Sequence, residues 1–385
     1  MSVRLRIVQA ILASVLAAGA AAAADRPALE LGKEVARVAA PAFIIHAGDG
    51  SGRVFVGERG GRIVVFGGEL PRQQLFLDIT ARVDLPGGGL RAVVFSYDFA
   101  DKRSFYVSYV GKEKDLVVSR FRLVQGGDAA DPATETVLLR VPRAGGERPG
   151  GGLAFGPDGK LCVGVGEGAA AKKSRGEAQS LASPLGKILR IDVESGTKPY
   201  GVPVDNPFAK TAGARPEIWA RGLGNPSWLA FDPRTGDLVV TDALGARHEE
   251  IDVLPGTSLG GENYGWNVLD GTDCRAKDPC DKAGFAMPAA VFPRSKGCEL
   301  GPGAIARGGT YPEIEGDYVF GDDCSTRLKG IRRTEAGGWE SRDLFDAGIR
   351  LSAVGAGENG VLFVADRRTG KVYEVRPATH SGGTR

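Results

Sequence analysis

GGGLAFGPDGKLCVGVGEG (residues 150–168), followed after a linker by LGKILRIDV (185–193), is the stretch whose reading decides the fold. Leu153, Ala154 and Phe155 run into Gly156-Pro157-Asp158-Gly159, where Pro presets φ and Asp-Gly suits the left-handed corner of a tight turn. Leu161 to Val165 is a short apolar run. Ile188, Arg190 and Asp192 then alternate with Leu189, Ile191 and Val193, the period of two that marks a strand. The unit reads as strand, turn, strand, loop, strand.

Working outward, the same cassette recurs in diverged form. It is found as GSGRVFVGERGGRIVVF (50–66), DKRSFYVSYVGKEKDLVVSRFRL (101–123), TGDLVVTDALGARHEEIDVL (235–254), EGDYVFGDDCSTRLKGIRR (315–333) and ENGVLFVADRRTGKVYEV (358–375). With the opening stretch that makes six copies at roughly 60-residue spacing, and no helical period is sustained between them. No copy can bury both faces alone, whereas neighbours stacked around an axis can. The reading is all-β, a six-bladed β-propeller, with the ring closed by a strand from Val35 to Ile45 packing on the last hairpin. Excess length at 166–187, 194–230 and 255–314 marks long loops, where propellers build their sites.

Composition agrees. Gly is 58 of 385 residues without a collagen period, which fits many turns. The formal charge of +2 includes Arg4 and Arg6 of an N-terminal leader, leaving no electrostatic case for nucleic acid or an anionic membrane. Residues 1–24 read as a signal peptide: a basic start, the apolar run Ile7 to Ala18 and small residues before Asp25. The expected layout is therefore a leader (1–24), a propeller (25–376) and a disordered tail (377–385). The compartment expected is periplasmic or secreted, with no membrane span.

Five cysteines fit an oxidising compartment. Pairing neighbour with neighbour gives Cys274–Cys280 and Cys298–Cys324, and leaves Cys162 as a buried strand thiol. The His-Cys spacing of a zinc site is absent.

Several segments together resemble the glucose/sorbosone dehydrogenase family, soluble propellers that use pyrroloquinoline quinone (PQQ) and calcium. They are GGGLAFGPDGKLCVGVGEG, SPLGKILRIDV, PVDNPF, ARPEIWARGLGNPSWLAFDPRTGDL, EEIDVLPGTSLGGENYGWNVLDGT and GDYVFGDDCSTR. GLGNP, EEID and NYGW in that order carry most of the specificity. The resemblance implies a calcium ion held by Glu250 and the backbone carbonyl of Tyr264, with Asp252 where Asn usually stands. It also implies a PQQ site involving Asn225.

At the reacting centre the sequence departs from that pattern. Oxidising a sugar at its anomeric carbon sends a hydride to the quinone while a base takes the hydroxyl proton. Where the family has that His, this chain has Arg148; where it has Asp, this chain has Glu167. Gly224 replaces an Arg, and Gly87 a Gln or Glu. Arg148 and Glu167 are left as the candidate catalytic pair, with Arg148 also a cofactor contact. A guanidinium cannot serve as a base at ordinary pH. His46, His248 and His380 match no family position; Trp219, Trp228, Trp266 and Trp339 read as wedges between blades, with Trp266 the one best placed to meet a sugar instead. Two functions follow: PQQ- and calcium-dependent oxidation of aldose sugars or related alcohols, or a catalytically silent exported propeller that binds a carbohydrate or a protein.

Overall fold

The computed structural model describes residues 29–378, except 125–126, 143–147, 169–175, 244–246, 276–278 and 295–298. Six four-stranded antiparallel sheets surround a central channel, a six-bladed β-propeller. The inner strands are Pro41–His46, Leu90–Phe95, Gly150–Phe155, Pro226–Phe231, Ala304–Ile305 and Leu351–Ala356. Each repeat seen in the sequence supplies the second and third strands of one blade, as Arg53–Glu58 and Arg62–Gly67 do in blade 1.

Burial follows the radius. Gly150–Phe155 and Leu161–Val165 of blade 3 are buried throughout, because blades cover both their faces. The outer strands Leu29–Arg37 and Trp339–Asp346 are largely half-buried or exposed, and they carry the charged residues. The short β-branched and aromatic runs thus become strands, and their alternation is lost toward the axis where both faces are dry.

The ring closes differently from the sequence expectation. Leu29–Arg37 is the strand that pairs antiparallel with Lys371–Pro377, from Leu29 opposite Pro377 to Arg37 opposite Lys371. Ala40 then takes φ 47° and Pro41–His46 opens blade 1. Val35 to Ile45 therefore spans the outer strand of the last blade and the inner strand of the first. Apolar patterning alone did not mark the break between them.

Glycine lets adjacent blades approach backbone to backbone. A Cβ on Gly355 of blade 6 would lie 2.3 Å from the Ile44 carbonyl oxygen of blade 1. One on Gly164 of blade 3 would lie 2.4 Å from the Pro226 oxygen of blade 4. Gly355→Ala is expected to cost about 1–3 kcal/mol, because backbone cannot move aside as a side chain can. A denaturant titration of the variant checks this; an unchanged midpoint would mean the last and first blades can part without loss.

Candidate functional site

Antiparallel pairing decides what meets at one end of the channel. Gly150, which starts the inner strand of blade 3, is paired with Val165, so Arg148 and Glu167 emerge side by side. The Glu167 carboxylate is buried. Oε2 accepts a hydrogen bond from Trp266 Nε1 at 2.9 Å, and Oε1 one from Asn267 Nδ2 at 2.7 Å. Arg148 Nη1 stands 3.5 Å from Oε2, an ion pair rather than an aligned hydrogen bond. The guanidiniums of Arg148 and Arg275 lie 5.1 and 4.3 Å from the Trp266 ring, both at cation–π distance. Trp266 is itself buried, so it walls the site and does not present an open sugar platform.

Blade 4 brings carboxylates to the same end. Asp242 faces Glu250 across the ladder, and Asp252 lies two residues further on the same face as Glu250. Asp242, Glu250 and Asp252 are all buried, with ligand oxygens within 4.8 Å of one another. Asp242 accepts the backbone N–H groups of Gly224 and Asn225, and Glu250 that of Gly271. Neither oxygen of Asp252 has a hydrogen-bond partner. Burial pushes Asp242 up to about 6, against the pull of its two backbone donors. Burial, then the neighbouring carboxylates, drive Glu250 and Asp252 in the same direction. Tyr264 packs in the cluster that covers this hairpin; its phenol is unpartnered and pushed upward by burial and then by Asp252. Three crowded acids are oxygen ligands of the kind that could hold a hard cation such as Ca²⁺; the Tyr264 phenol, held protonated, adds no charge to them.

The channel mouth at this end holds a cavity of about 240 Å³, bordered by Arg59, Arg91, Arg367, Glu299 and Asp323. Blades 1, 2, 5 and 6 supply these residues, and Ser227 of blade 4 completes the rim.

Comparison with known proteins bears on what this constellation descends from. The glucose / sorbosone dehydrogenase family matches residues 39–374. The chain belongs to that family. It is 29% identical over 314 residues to the aldose sugar dehydrogenase YliI of Escherichia coli K12, covering 75% of this chain and 77% of that protein. It is 26% identical over 372 residues to mouse Hedgehog-interacting protein, covering 89% of this chain; the chain spans about half the length of that relative, 50%. Among solved structures, a putative oxidoreductase (glucose dehydrogenase) of Thermus thermophilus superposes with a TM-score of 0.70 at 28% identity, covering 90% of this chain and 99% of that one. The PQQ-bound aldose sugar dehydrogenase of Streptomyces coelicolor, at 20% identity, shares the fold with a TM-score of 0.69, covering 91% and 99%.

The residues expected from the family resemblance fall out as follows. Arg148 and Glu167 come together as a pair. Asn225 lies beside them, but its amide is engaged within the fold: Oδ1 accepts from Gly150 N at 2.8 Å and Nδ2 donates to the Ala243 oxygen at 3.0 Å. It braces blades 3 and 4. Asp242 was missed; its signal was the spacing that sets it opposite Glu250 in a hairpin. The arginine-lined mouth was missed too, because its members are far apart in the chain.

Cys274–Cys280 is a disulfide. Cys324 is also disulfide-bonded, while its expected partner Cys298 lies outside the described residues. Cys162 is a buried free thiol, pushed up to about 12 by burial. His248 Nδ1 and the Asp270 carbonyl oxygen are 3.0 Å apart, and its backbone N–H meets the Asp270 carboxylate, a loop brace. His46 ends the inner strand of blade 1. His380, the leader and most of the 377–385 tail lie outside the described residues, although Pro377 itself belongs to the last strand. No helix among the described residues is long and apolar enough to cross a membrane.

Proposed function

We propose that this chain is an exported, calcium-holding propeller of the sugar dehydrogenase family that binds a sugar-like ligand at the Arg148 end of its channel without oxidising it by the family's histidine route. The observation that carries the reading is the Arg148–Glu167 pair. At the position where the resemblance requires a proton acceptor stands a guanidinium, 3.5 Å from a buried carboxylate and close to Trp266. A guanidinium is not a base at ordinary pH. Both Glu167 oxygens are already engaged by Trp266 and Asn267.

Calcium suits the residues present. Asp252 offers two buried, unpartnered oxygens beside Asp242 and Glu250, and a divalent cation would offset the three charges. Such an ion would fasten the Asp242 hairpin to the Gly224-Asn225 corner that Asp242 already holds. PQQ would supply a hydride acceptor, and among the described residues around Arg148 the one carboxylate that could accompany it as base, Glu167, is already engaged. No oxidation step is therefore assigned.

The second reading, PQQ-dependent oxidation of aldoses, is favoured by the guanidiniums at the mouth, which suit the carboxylates of such a quinone. Titrating the purified protein with PQQ in the presence of Ca²⁺, then assaying aldoses with a dye acceptor, separates the two. No dye reduction is expected, with glucose-type ligands still altering tryptophan fluorescence through Trp266. Turnover that survives Arg148→Ala and disappears in Glu167→Gln would favour oxidation with Glu167 as base and would sink the silent reading.

A further inference from the structure

We propose that the cavity at the channel mouth is an anion subsite, built by Arg59 and Arg91, that takes the carboxylate of a sugar acid. The inference rests on the reading that this end of the channel is the ligand site, and it adds the charge of the ligand.

The argument starts from unpaired charge. Among the described residues, neither Arg59 nor Arg91 forms an ion pair, although the ion pairs of this protein otherwise engage many of its arginines. Arg91 lies at the start of the blade 2 inner strand. Its Nε donates to the Gly150 carbonyl oxygen at 2.9 Å, and its Nη1 reaches the Gly88 oxygen at 3.4 Å. A guanidinium has five N–H donors, so these bonds orient the group and leave others for the cavity. Desolvation pushes Arg91 down to about 10, with the charge of Arg59 adding to the fall and that of Glu299 opposing it. It remains a cation at neutral pH, poorly solvated, with the Glu299 carboxylate the stronger of its charged neighbours and Arg59 the weaker. An arriving carboxylate would relieve both cations.

The rest of the rim narrows the ligand. Arg367 is paired with Asp323, so it adds little net charge. The Glu299 carboxylate has no ion pair among the described residues and is free to accept hydroxyl hydrogen bonds. Unpaired donors beside a free acceptor match a molecule that carries both a carboxylate and hydroxyl groups. The volume of about 240 Å³ is of the size of one sugar ring. A uronate or aldonate meets these conditions; a neutral hexose leaves the guanidiniums unanswered.

Calorimetric titration of the full protein, with Ca²⁺ and at low ionic strength, tests this with glucuronate, gluconate, glucose and inorganic phosphate as probes. Glucuronate or gluconate should bind at least about tenfold more tightly than glucose, and added salt should erode the difference. Arg59→Gln should remove about tenfold of that affinity without moving the thermal midpoint, because the Arg59 side chain is exposed and forms no ion pair among the described residues. Arg91→Gln should remove more, and Arg91→Lys part of it. Equal binding of glucuronate and glucose would overturn the anion subsite while leaving the sugar-binding reading intact. Acid affinity unchanged in both Arg59→Gln and Arg91→Gln would also overturn it. Phosphate binding as tightly as the sugar acids would overturn the assignment to carboxylates. Dye reduction by glucose with PQQ would instead count against the silent propeller, whatever the acids do.

Discussion

Chelating divalent cations at pH 8 is expected to lower the thermal midpoint by about 5 °C, and added Ca²⁺ to restore it. The size follows from mass action: a ligand at a thousand times its Kd adds about 4 kcal/mol. The sign with pH follows from the acids. Asp242 is pushed from 3.8 up to about 6 in the fold. Without metal, the native state therefore holds a proton that the unfolded chain has released between those values. Stability of the metal-free protein falls as pH rises through that window, by about 3 kcal/mol for this group alone. Glu250 and Asp252 move in the same direction and extend the loss upward. The difference between chelated and calcium-loaded protein should thus be largest at pH 8 and shrink toward pH 5. Asp252→Asn should raise the midpoint of the chelated protein and reduce what calcium restores. Melting curves that coincide with and without chelator at pH 8 would rule out the metal site.

Lys187→Met should lower the midpoint by roughly 4–7 °C, a loss of about 3–5 kcal/mol. Lys187 is completely buried in the third strand of blade 3. Its Nζ donates to the carbonyl oxygens of Glu177, Ala178 and Leu185 at 2.8, 3.0 and 2.7 Å. Burial pushes Lys187 down to about 7. Three carbonyl acceptors, however, call for three N–H donors, which only the ammonium has, so the charged form matches the geometry. Methionine keeps the volume and strands all three acceptors. The loop so released also carries Gln179, whose amide bonds the Trp266 carbonyl and Asn263 at 3.0 Å each. Ligand-induced changes in Trp266 fluorescence should weaken along with stability. A midpoint within a degree of wild type would show that the loop is held by something other than this lysine.

Local chemistry made the blades legible. GPDG, the apolar triplets and the strand alternation are properties of a few neighbouring residues, and repetition multiplied a weak signal into six copies. Glu167 and Arg148 were singled out by the family positions they occupy, and the hairpin register that sets them side by side came from the structure. Glu250 and Asp252 show their common face by spacing alone. Asp242 needed the register of the next strand, where one slipped residue would have turned it away from Glu250.

What the sequence determined by itself, then, was the repeated antiparallel unit and the family, because these depend on local pattern and on residue identity. Only the tertiary structure decided which residues share the channel mouth. Arg59, Arg91, Glu299 and Arg367 come from blades 1, 2, 5 and 6, and no period in the chain relates them. It likewise decided that Asn225 is spent as a brace, that Trp266 is a wall, and that Leu29–Arg37 closes the ring. Ring closure brings positions hundreds of residues apart within a few ångströms, and the charge left unpaired there depends on that convergence.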